Sequence, residues 1–184
     1  MNKMKFVCIM GRSNSGKSTV ERALEKVGFK RSISYTTRKP QIRDGVEEKN
    51  GEHYKFVTMA KFNELVDCGI MVERSEYNGD LYGTPRPYGA RRYVAVVELN
   101  GYRKLKEEYG QQVIGAYLKC DEDTAIQRAV KRGDSDEAVK DRSKADEKML
   151  ADMEKEADIV IDSTQDLNKM IAEILKKLRA EELD

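Results

Sequence analysis

Histidine and tryptophan are nearly missing from the 184-residue chain, which has a single histidine, His53, and no tryptophan. One histidine argues against a histidine-based catalytic triad and against a multi-histidine metal site. The three cysteines, Cys8, Cys68 and Cys120, are odd in number, lie far apart and form no CxxC motif. This pattern predicts a reduced, intracellular chain without a zinc site.

An excess of one charge and a long apolar run are missing as well. The 34 Lys and Arg residues balance 33 Asp and Glu residues, so the net charge is only +1. A general nucleic-acid binder would be strongly basic, and a disordered chain would carry a large net charge. No apolar run approaches the roughly 18 residues of a membrane span. We therefore expect one cytoplasmic domain with no nucleic-acid or membrane partner.

Strand-like and helix-like patterns alternate along the chain. Short apolar runs predict buried parallel strands at Lys5–Met10, Tyr93–Glu98, Val113–Leu118 and Asp158–Ile161. Helical patterns follow at Lys17–Val27, Tyr102–Tyr109 and Glu122–Arg132, and at a final helix whose apolar face runs from Leu167 to Leu178. Ser163 or Thr164 is the expected cap of that last helix. The alternation predicts an α/β fold with a mostly parallel sheet.

Two segments interrupt this alternation. Residues 32–84 combine short strand-like pieces with one helix near Thr58–Asp67, which is typical of an inserted lobe. Residues 133–157 are highly charged and helical in pattern, with a capping-box signal at Asp134 and Glu137. Because this segment is poor in large apolar side chains, we expect a loosely held, mobile arm there.

The segment Gly-Arg-Ser-Asn-Ser-Gly-Lys-Ser at 11–18 matches the phosphate-binding P-loop pattern, between a predicted strand and a predicted helix. Glycines allow the loop to turn its N–H groups inward around a phosphate, and the helix N-terminus favours negative charge. Lys17 can reach the β- and γ-phosphates, and the Ser18 hydroxyl can bind Mg²⁺. The predicted ATP-binding residues here are Gly11, Ser13, Asn14, Ser15, Gly16, Lys17, Ser18 and Thr19.

Four further motifs follow the P-loop in a characteristic order. They are Ser-Ile-Ser-Tyr-Thr-Thr-Arg at 32–38, Asn-Gly-Glu-His-Tyr-Lys-Phe-Val at 50–57, Met-Val-Glu at 71–73 and Asn-Gly-Asp-Leu-Tyr-Gly-Thr at 78–84. In this order the chain resembles the guanylate kinase family, over nearly its whole length. The resemblance implies a three-layer P-loop NTPase core at about 1–31, 85–127 and 158–184. It also implies an inserted GMP-binding lobe at about 32–84 and a helical lid at about 128–157.

The resemblance implies roles for single residues of the lobe. Arg38, Tyr54 and Tyr82 match positions that hold the GMP phosphate, while Ser34, Glu73 and Thr84 match positions that read guanine. The chemistry supports this, because a carboxylate accepts hydrogen bonds from guanine N1–H and N2–H₂, whereas adenine N1 carries no hydrogen. The Ser34 and Thr84 hydroxyls can donate to guanine O6. The predicted GMP-binding residues are Ser34, Arg38, Arg43, Tyr54, Glu73, Tyr82, Thr84 and Glu98.

Arginines dominate the second half of the predicted site. Arg128 and Arg132 resemble the family's R-x-x-x-R-G lid motif and share one helix face, and Arg142 matches a further lid arginine. Positive charge around the transferring phosphoryl group is what this reaction needs. A solvated basic helix face is the alternative interpretation. The predicted catalytic residues are Lys17, Arg38, Arg128 and Arg142; Arg132 is assigned to ATP, and Mg²⁺, held at Ser18, is the predicted cofactor.

The chain departs from the family pattern at several positions. Gln41 stands where the family usually has a second phosphate-binding arginine, and the loop to Tyr54 is longer. We predict that Arg43 makes this second contact. Asn100 replaces a usual aspartate, which leaves the guanine selectivity open. The stretch between Thr84 and Glu98 is short, which predicts a truncated helix there.

The predicted function is transfer of the ATP γ-phosphoryl group to GMP or dGMP, giving ADP and GDP. A second interpretation is a P-loop kinase with another acceptor, either a different nucleoside monophosphate or a phosphorylated sugar. A third is a non-catalytic module that binds a protein partner through the former GMP site. The intact Gly16-Lys17-Ser18 favours an enzyme. The pattern leaves a monomer and a homodimer both open.

Overall fold

The computed structural model describes residues 4–43, 45–77, 79–131 and 147–180. The strands in these ranges are β1 (Lys5–Met10), β2 (Lys30–Arg31), β3 (Tyr35–Thr36), β4 (Ile42–Arg43), β5 (Val46–Glu47), β6 (Lys55–Phe56), β7 (Met71–Tyr77), β8 (Asp80–Pro85), β9 (Arg92–Val96), β10 (Val113–Lys119) and β11 (Ile159–Asp162). The helices in these ranges are α1 (Lys17–Lys26), α2 (Met59–Asp67), α3 (Leu99–Tyr109), α4 (Glu122–Lys131), α5 (Glu147–Glu156) and α6 (Leu167–Ala180).

Five parallel strands form the central sheet, in the order β11-β10-β1-β9-β2. The predicted mostly parallel α/β fold is therefore confirmed. Alternate residues of β1 point to opposite faces, where Val7 and Ile9 pack with α1 and α6, and Phe6 and Cys8 pack with α3 and α5. Helices thus cover both faces of the sheet, which explains why β1, β9 and β10 are largely apolar.

A second sheet lies within the predicted lobe. It has the order β6-β3-β8-β7, in which β8 runs antiparallel to both of its neighbours and β3 runs parallel to β6. The short strands β4 and β5 form a separate antiparallel hairpin. Helix α2 begins after Thr58, whose hydroxyl accepts the N–H of Lys61 at 3.2 Å, as the predicted helix requires.

Several element boundaries differ from the prediction by one residue, and those of α3, β9 and α6 differ by more. Helix α3 begins at Leu99 rather than Tyr102, because the Glu98 carbonyl already accepts the Tyr102 N–H. Strand β9 accordingly ends at Val96. Neither Ser163 nor Thr164 caps α6; Asp166 does so, by accepting the N–H of Asn168 at 2.8 Å.

The expectation of a loosely held arm at 133–157 is wrong for residues 147–156, the helical part of that segment that the structure describes. Helix α5 buries Leu150 and Met153 against the apolar face that contains Tyr102 and Leu105. These two side chains pack one face of α5 against the sheet layer. The capping pair Asp134 and Glu137 lies outside the described residues.

The stretch between β8 and β9 contains no helix at residues 86–91, which confirms the predicted truncation. Throughout the described ranges, each helix is too short or too polar to pass through a lipid bilayer.

Candidate active site

The P-loop joins β1 to α1 and has the backbone that its glycines allow. Gly11 and Gly16 have φ angles of 144° and 97°. A Cβ atom on Gly11 would lie only 2.7 Å from the Leu118 carbonyl oxygen, so glycine is needed for both conformation and space. Asn14 has a φ of 65°, which makes it the one non-glycine residue with a positive φ in the described part of the chain.

The Lys17 ammonium bends back across this loop. It donates hydrogen bonds to the carbonyl oxygens of Gly11 at 2.8 Å and Arg12 at 2.7 Å. The Ser15 hydroxyl is buried without a hydrogen-bond partner among the described residues, and Ser13, Ser18 and Thr19 are exposed or half-buried around it. A bound phosphate would satisfy such a donor, and the loop has the chemistry of an anion site.

Arg128 reaches the P-loop from α4. Its guanidinium donates to the Ser15 carbonyl at 3.1 Å and to the Ser163 carbonyl at 2.8 Å. This half-buried side chain therefore joins α4, the P-loop and the end of β11. The alternative of a solvated basic helix face is wrong for Arg128, and the structure shows it bound to the loop backbone.

Arg38 lies close to two aromatic rings in the lobe. Its guanidinium carbon is 5.3 Å from the ring centroid of Tyr54 and 5.7 Å from that of Phe56. Its Nη2 atom donates to Glu48 at 2.7 Å. The Tyr82 ring meets the Tyr54 ring edge-on, with their centroids 5.9 Å apart. The three residues predicted to hold the acceptor phosphate are thus brought together.

Glu73 lies at the other end of the same sheet, directly opposite Thr84. The Thr84 hydroxyl donates to Glu73 Oε1 at 2.8 Å, so it holds this carboxylate in place. Burial raises the pKa of Glu73 and nearby Glu98 raises it further, even though the Thr84 hydrogen bonds oppose the shift. Gly101 of α3 lies beside the carboxylate, since a Cβ atom there would be 3.4 Å from Oε1.

Strand β8 connects these two ends of the lobe. Tyr82 and Thr84 are two residues apart, so their side chains lie on one face of the strand, about 7 Å apart along it. One contacts Tyr54 and the other contacts Glu73. The face therefore offers an arginine and tyrosines at one end and a carboxylate at the other.

The remaining predicted residues have varied positions. Ser34 is half-buried between β2 and β3, and its carbonyl accepts the Lys55 N–H at 2.9 Å. Glu98 is exposed at the start of α3. Arg43 lies in β4, opposite Val46. The two lid arginines, Arg132 and Arg142, lie outside the described residues.

Sequence reasoning missed three residues that complete these contacts: Glu48, Phe56 and Ser163. Glu48 lies in a charged run, 47–49, where it cannot be told from a solvated glutamate. Phe56 is one apolar residue of the 50–57 motif and has no signal of its own for a contact with Arg38. Ser163 directly follows β11, and polar residues after parallel strands are a usable signal, because the carboxyl ends of such strands line the binding crevice.

Comparison with known proteins agrees with this geometry. A sequence model described as guanylate kinase matches residues 3–181. The chain belongs to the guanylate kinase family. A guanylate kinase from a Nostoc species is 34% identical over 168 residues, which covers 86% of this chain and 82% of the relative. One from Trichodesmium erythraeum is 31% identical and covers 97% of this chain and 100% of the relative. The predicted family and the predicted ATP-dependent guanylate kinase are thereby confirmed.

Solved structures support the same fold. The crystal structure of a guanylate kinase from Anaplasma phagocytophilum superposes with a TM-score of 0.74 at 22% identity, covering 100% of this chain and 89% of that one. A gluconokinase from Sinorhizobium meliloti 1021 superposes with a TM-score of 0.52 at 17% identity, covering 98% and 94%. Because a kinase with a different name shares the fold, the fold alone does not select the acceptor.

Proposed function

We propose that this guanylate kinase transfers the γ-phosphoryl group of ATP to the phosphate of GMP, giving ADP and GDP. The observation that carries the proposal is the pairing of a P-loop with a lobe face that has a cation at one end and a carboxylate at the other. A nucleoside monophosphate has the matching shape, with a dianionic phosphate at one end and a hydrogen-bonding base at the other.

The P-loop is proposed to bind the ATP phosphates. The buried Ser15 hydroxyl and the α1 N-terminus favour negative charge there. Lys17 already points across the loop and needs only to exchange carbonyl oxygens for phosphate oxygens. Arg128 holds the loop backbone, while Arg132 and Arg142 are proposed to complete the positive charge from the lid.

The lobe is proposed to bind GMP. Arg38, Tyr54 and Tyr82 would contact its phosphate, with Arg43 as the second cation. The ionised Glu73 carboxylate would accept hydrogen bonds from guanine N1–H and N2–H₂, with Thr84 holding it and Ser34 donating to O6. Because Thr84 already donates its hydroxyl hydrogen to Glu73, its own contact to O6 requires that bond to rearrange.

Magnesium is the proposed cofactor. The donor set fits a hard cation, since the Ser18 hydroxyl is exposed on the first turn of α1 and the phosphates supply further oxygens. When bound, Mg²⁺ neutralises charge that develops on the phosphate oxygens. Ser18 would hold it, and Glu98 would orient one of its water molecules or the acceptor. Chelation with EDTA is expected to stop turnover, and added Mg²⁺ is expected to restore it.

The acceptor is tested by measuring ADP release from Mg-ATP with GMP, dGMP, AMP, CMP and UMP in turn. Turnover with the guanine nucleotides alone is expected. The second candidate, a kinase with another acceptor, is favoured by Asn100, since an amide selects guanine less well than a carboxylate. Comparable turnover with AMP, or none with any nucleotide, would contradict the proposal.

The P-loop assignment is tested by Lys17→Ala, for which we expect a loss of kcat of about 10³-fold or more, because the reaction depends on charge at the transferred group. Lys26→Ala, at the exposed end of the same helix, is the matched control and should keep its activity. Unchanged kcat in Lys17→Ala would refute the assignment and favour a non-catalytic module.

A cytoplasmic location is proposed because Cys8, Cys68 and Cys120 are all unpaired, as in a reducing compartment. The proposed partners are ATP and the acceptor nucleotide, which is GMP or dGMP. Sedimentation analysis would distinguish a monomer from a homodimer.

A further inference from the structure

A buried carboxylate, Glu48, forms an ion pair with Arg38, the arginine that is proposed to bind the GMP phosphate. Only 3% of the Glu48 side chain and 10% of the Arg38 side chain are exposed, and Glu48 Oε2 lies 2.7 Å from Arg38 Nη2. Taking a carboxylate and a guanidinium out of water is costly, so such a pair needs close contacts to form. This pair has them, because Arg38 also donates to the Lys39 carbonyl at 3.0 Å.

Glu48 also closes the long loop that follows Arg38. Its N–H donates to the Gln41 carbonyl at 2.8 Å, and its carboxylate accepts the Gln41 N–H at 3.0 Å. The hairpin of β4 and β5 is thereby tied at its base, while Ile42 and Val46 remain 75% and 59% exposed. The side chains of Ile42 and Val46 in this hairpin therefore face solvent.

These contacts restrict how the guanidinium can lie. One edge bonds to Glu48 and the Lys39 carbonyl, and the plane lies near the Tyr54 and Phe56 rings. A guanidinium has five N–H donors, so donors remain for a phosphate after these two bonds. A side chain held in this way loses less conformational entropy when the phosphate binds.

We propose that Glu48 is a positioning residue for the acceptor phosphate: it orients Arg38 and closes the 41–48 loop, and does not itself touch GMP. The inference rests on the proposed function of Arg38. It predicts that Glu48 affects only ligands that carry the phosphate. A carboxylate that merely competed with the phosphate for Arg38 would act in the opposite direction.

The test compares Glu48→Gln with the wild type in calorimetric titrations of GMP and of guanosine, which lacks the phosphate. We expect Glu48→Gln to bind GMP about tenfold more weakly, since a charge-assisted hydrogen bond becomes a neutral one. Guanosine affinity and ATP affinity should stay unchanged. Glu47→Gln, an exposed neighbour with the same change of charge, is the matched control and should bind GMP as the wild type does.

A double-mutant cycle then separates positioning from stabilisation of the lobe. In an Arg38→Met background, Glu48→Gln should cause little further loss of GMP affinity, because the side chain it orients is already gone. Glu48→Asp, which keeps the charge one methylene further from Arg38, should also weaken GMP binding, and it gives a second reading if Glu48→Gln folds poorly.

The proposal would be overturned by tighter GMP binding in Glu48→Gln, by an equal loss of affinity for guanosine, or by additive losses in the cycle. Failure of the wild type to bind GMP would overturn the proposed function of the site as well. A wild type that binds GMP, with Glu48 variants that do so equally well, would contradict only the positioning role.

Discussion

Glu73 meets two opposed requirements with one side chain. In its proposed role it must be ionised to accept hydrogen bonds from guanine, but burial and nearby Glu98 raise its pKa. Thr84 holds the carboxylate through its hydroxyl, and the Thr84 hydrogen bonds favour the ionised form. An ionised Glu73 suited to its proposed role therefore lowers the stability of the folded protein, as is common in binding sites.

Glu73→Gln should weaken the binding of GMP. The amide keeps an acceptor for Thr84 but loses the charge and places donors against guanine, so GMP affinity should fall on the order of tenfold to a hundredfold. ATP affinity should be unaffected. Glu76→Gln, an exposed position on β7, is the control for the same change of charge. Titration of both variants with GMP and ATP gives the result, and equal GMP affinity in Glu73→Gln would refute base reading by this residue.

The raised pKa of Glu73 also predicts how binding depends on pH. Because this carboxylate takes up a proton at higher pH than an ordinary glutamate, GMP affinity should begin to weaken early as the pH is lowered. Glu73→Gln should lack this component of the pH profile. A wild-type GMP affinity that stays constant down to the ordinary range of glutamate pKa values would contradict the prediction.

The same shift has a consequence for folding. A carboxyl group whose pKa is higher in the folded state than in the unfolded state makes folding less favourable as the pH rises through that interval. At neutral pH the ionised Glu73 therefore costs stability, and Glu73→Gln should have a higher Tm than the wild type. Thermal unfolding at neutral pH measures this, with Glu76→Gln as the reference; a lower Tm would show that the charge is stabilised in the fold.

Between elements, Arg128 connects α4 to the phosphate-binding loop and to the end of β11. We predict that Arg128→Met lowers kcat/KM for ATP about a hundredfold, because two backbone carbonyls lose a charged donor. Arg128→Lys should restore it only in part, since an ammonium lacks the fork of a guanidinium. GMP affinity should be unchanged in Arg128→Met. Lys131→Met, at the exposed end of α4, serves as the control. A loss confined to kcat, with ATP affinity intact, would instead favour direct contact with the phosphoryl group.

A second contact between elements joins α1 to β2. Arg31 Nε lies 3.0 Å from Glu21 Oε2, with 11% and 8% of their side chains exposed, and Arg31 also donates to the Glu52 carbonyl of the lobe at 2.7 Å. Burial raises the pKa of Glu21, and Arg31 opposes this shift. The ion pair therefore lies under the P-loop helix and reaches into the lobe.

Removal of Arg31 alone should destabilise the fold more than removal of the pair. Arg31→Met leaves Glu21 buried without its cation, which we expect to cost about 3 kcal/mol in the free energy of unfolding. The double variant Arg31→Met with Glu21→Gln should recover part of that loss. Denaturant unfolding measures both, with the exposed Arg22→Met as the control. A double variant no more stable than Arg31→Met would show that the charge on Glu21 is not the cause.

Across the protein as a unit, core and lobe are each proposed to contribute one half of the site. In the proposed function, ATP binds at the loops of the five-stranded sheet and GMP binds at the four-stranded sheet. GMP at a hundred times its Kd should raise the free energy of unfolding by about 2.7 kcal/mol. AMP at that concentration should produce almost no shift in Tm. Equal shifts with both nucleotides would show that the lobe does not select the base.

Local sequence patterns predicted most of the architecture. The strands β1 and β10 and the P-loop could be predicted from the sequence. An apolar run, or a motif of glycines and a lysine, determines the local conformation of its own segment. The boundary of α3 was missed since its cap is Glu98, a residue type without a strong capping signal. Likewise Asp166 caps α6 from a polar segment with several competing candidates.

The partners of the charged side chains depend on distant parts of the chain. Arg128 was expected to face the phosphoryl group, and its bond to the Ser15 carbonyl joins residues 113 positions apart. The pairing of Arg38 with Glu48 required the hairpin between them to fold back. Spacing along a sequence determines which residues can share a helix face or a strand face, and so it predicted the fold and the family motifs. Which carboxylate pairs with which arginine depends on how the sheets and loops pack in three dimensions. A long side chain in a charged run has many possible partners along the sequence, and only the packed fold buries it beside one of them.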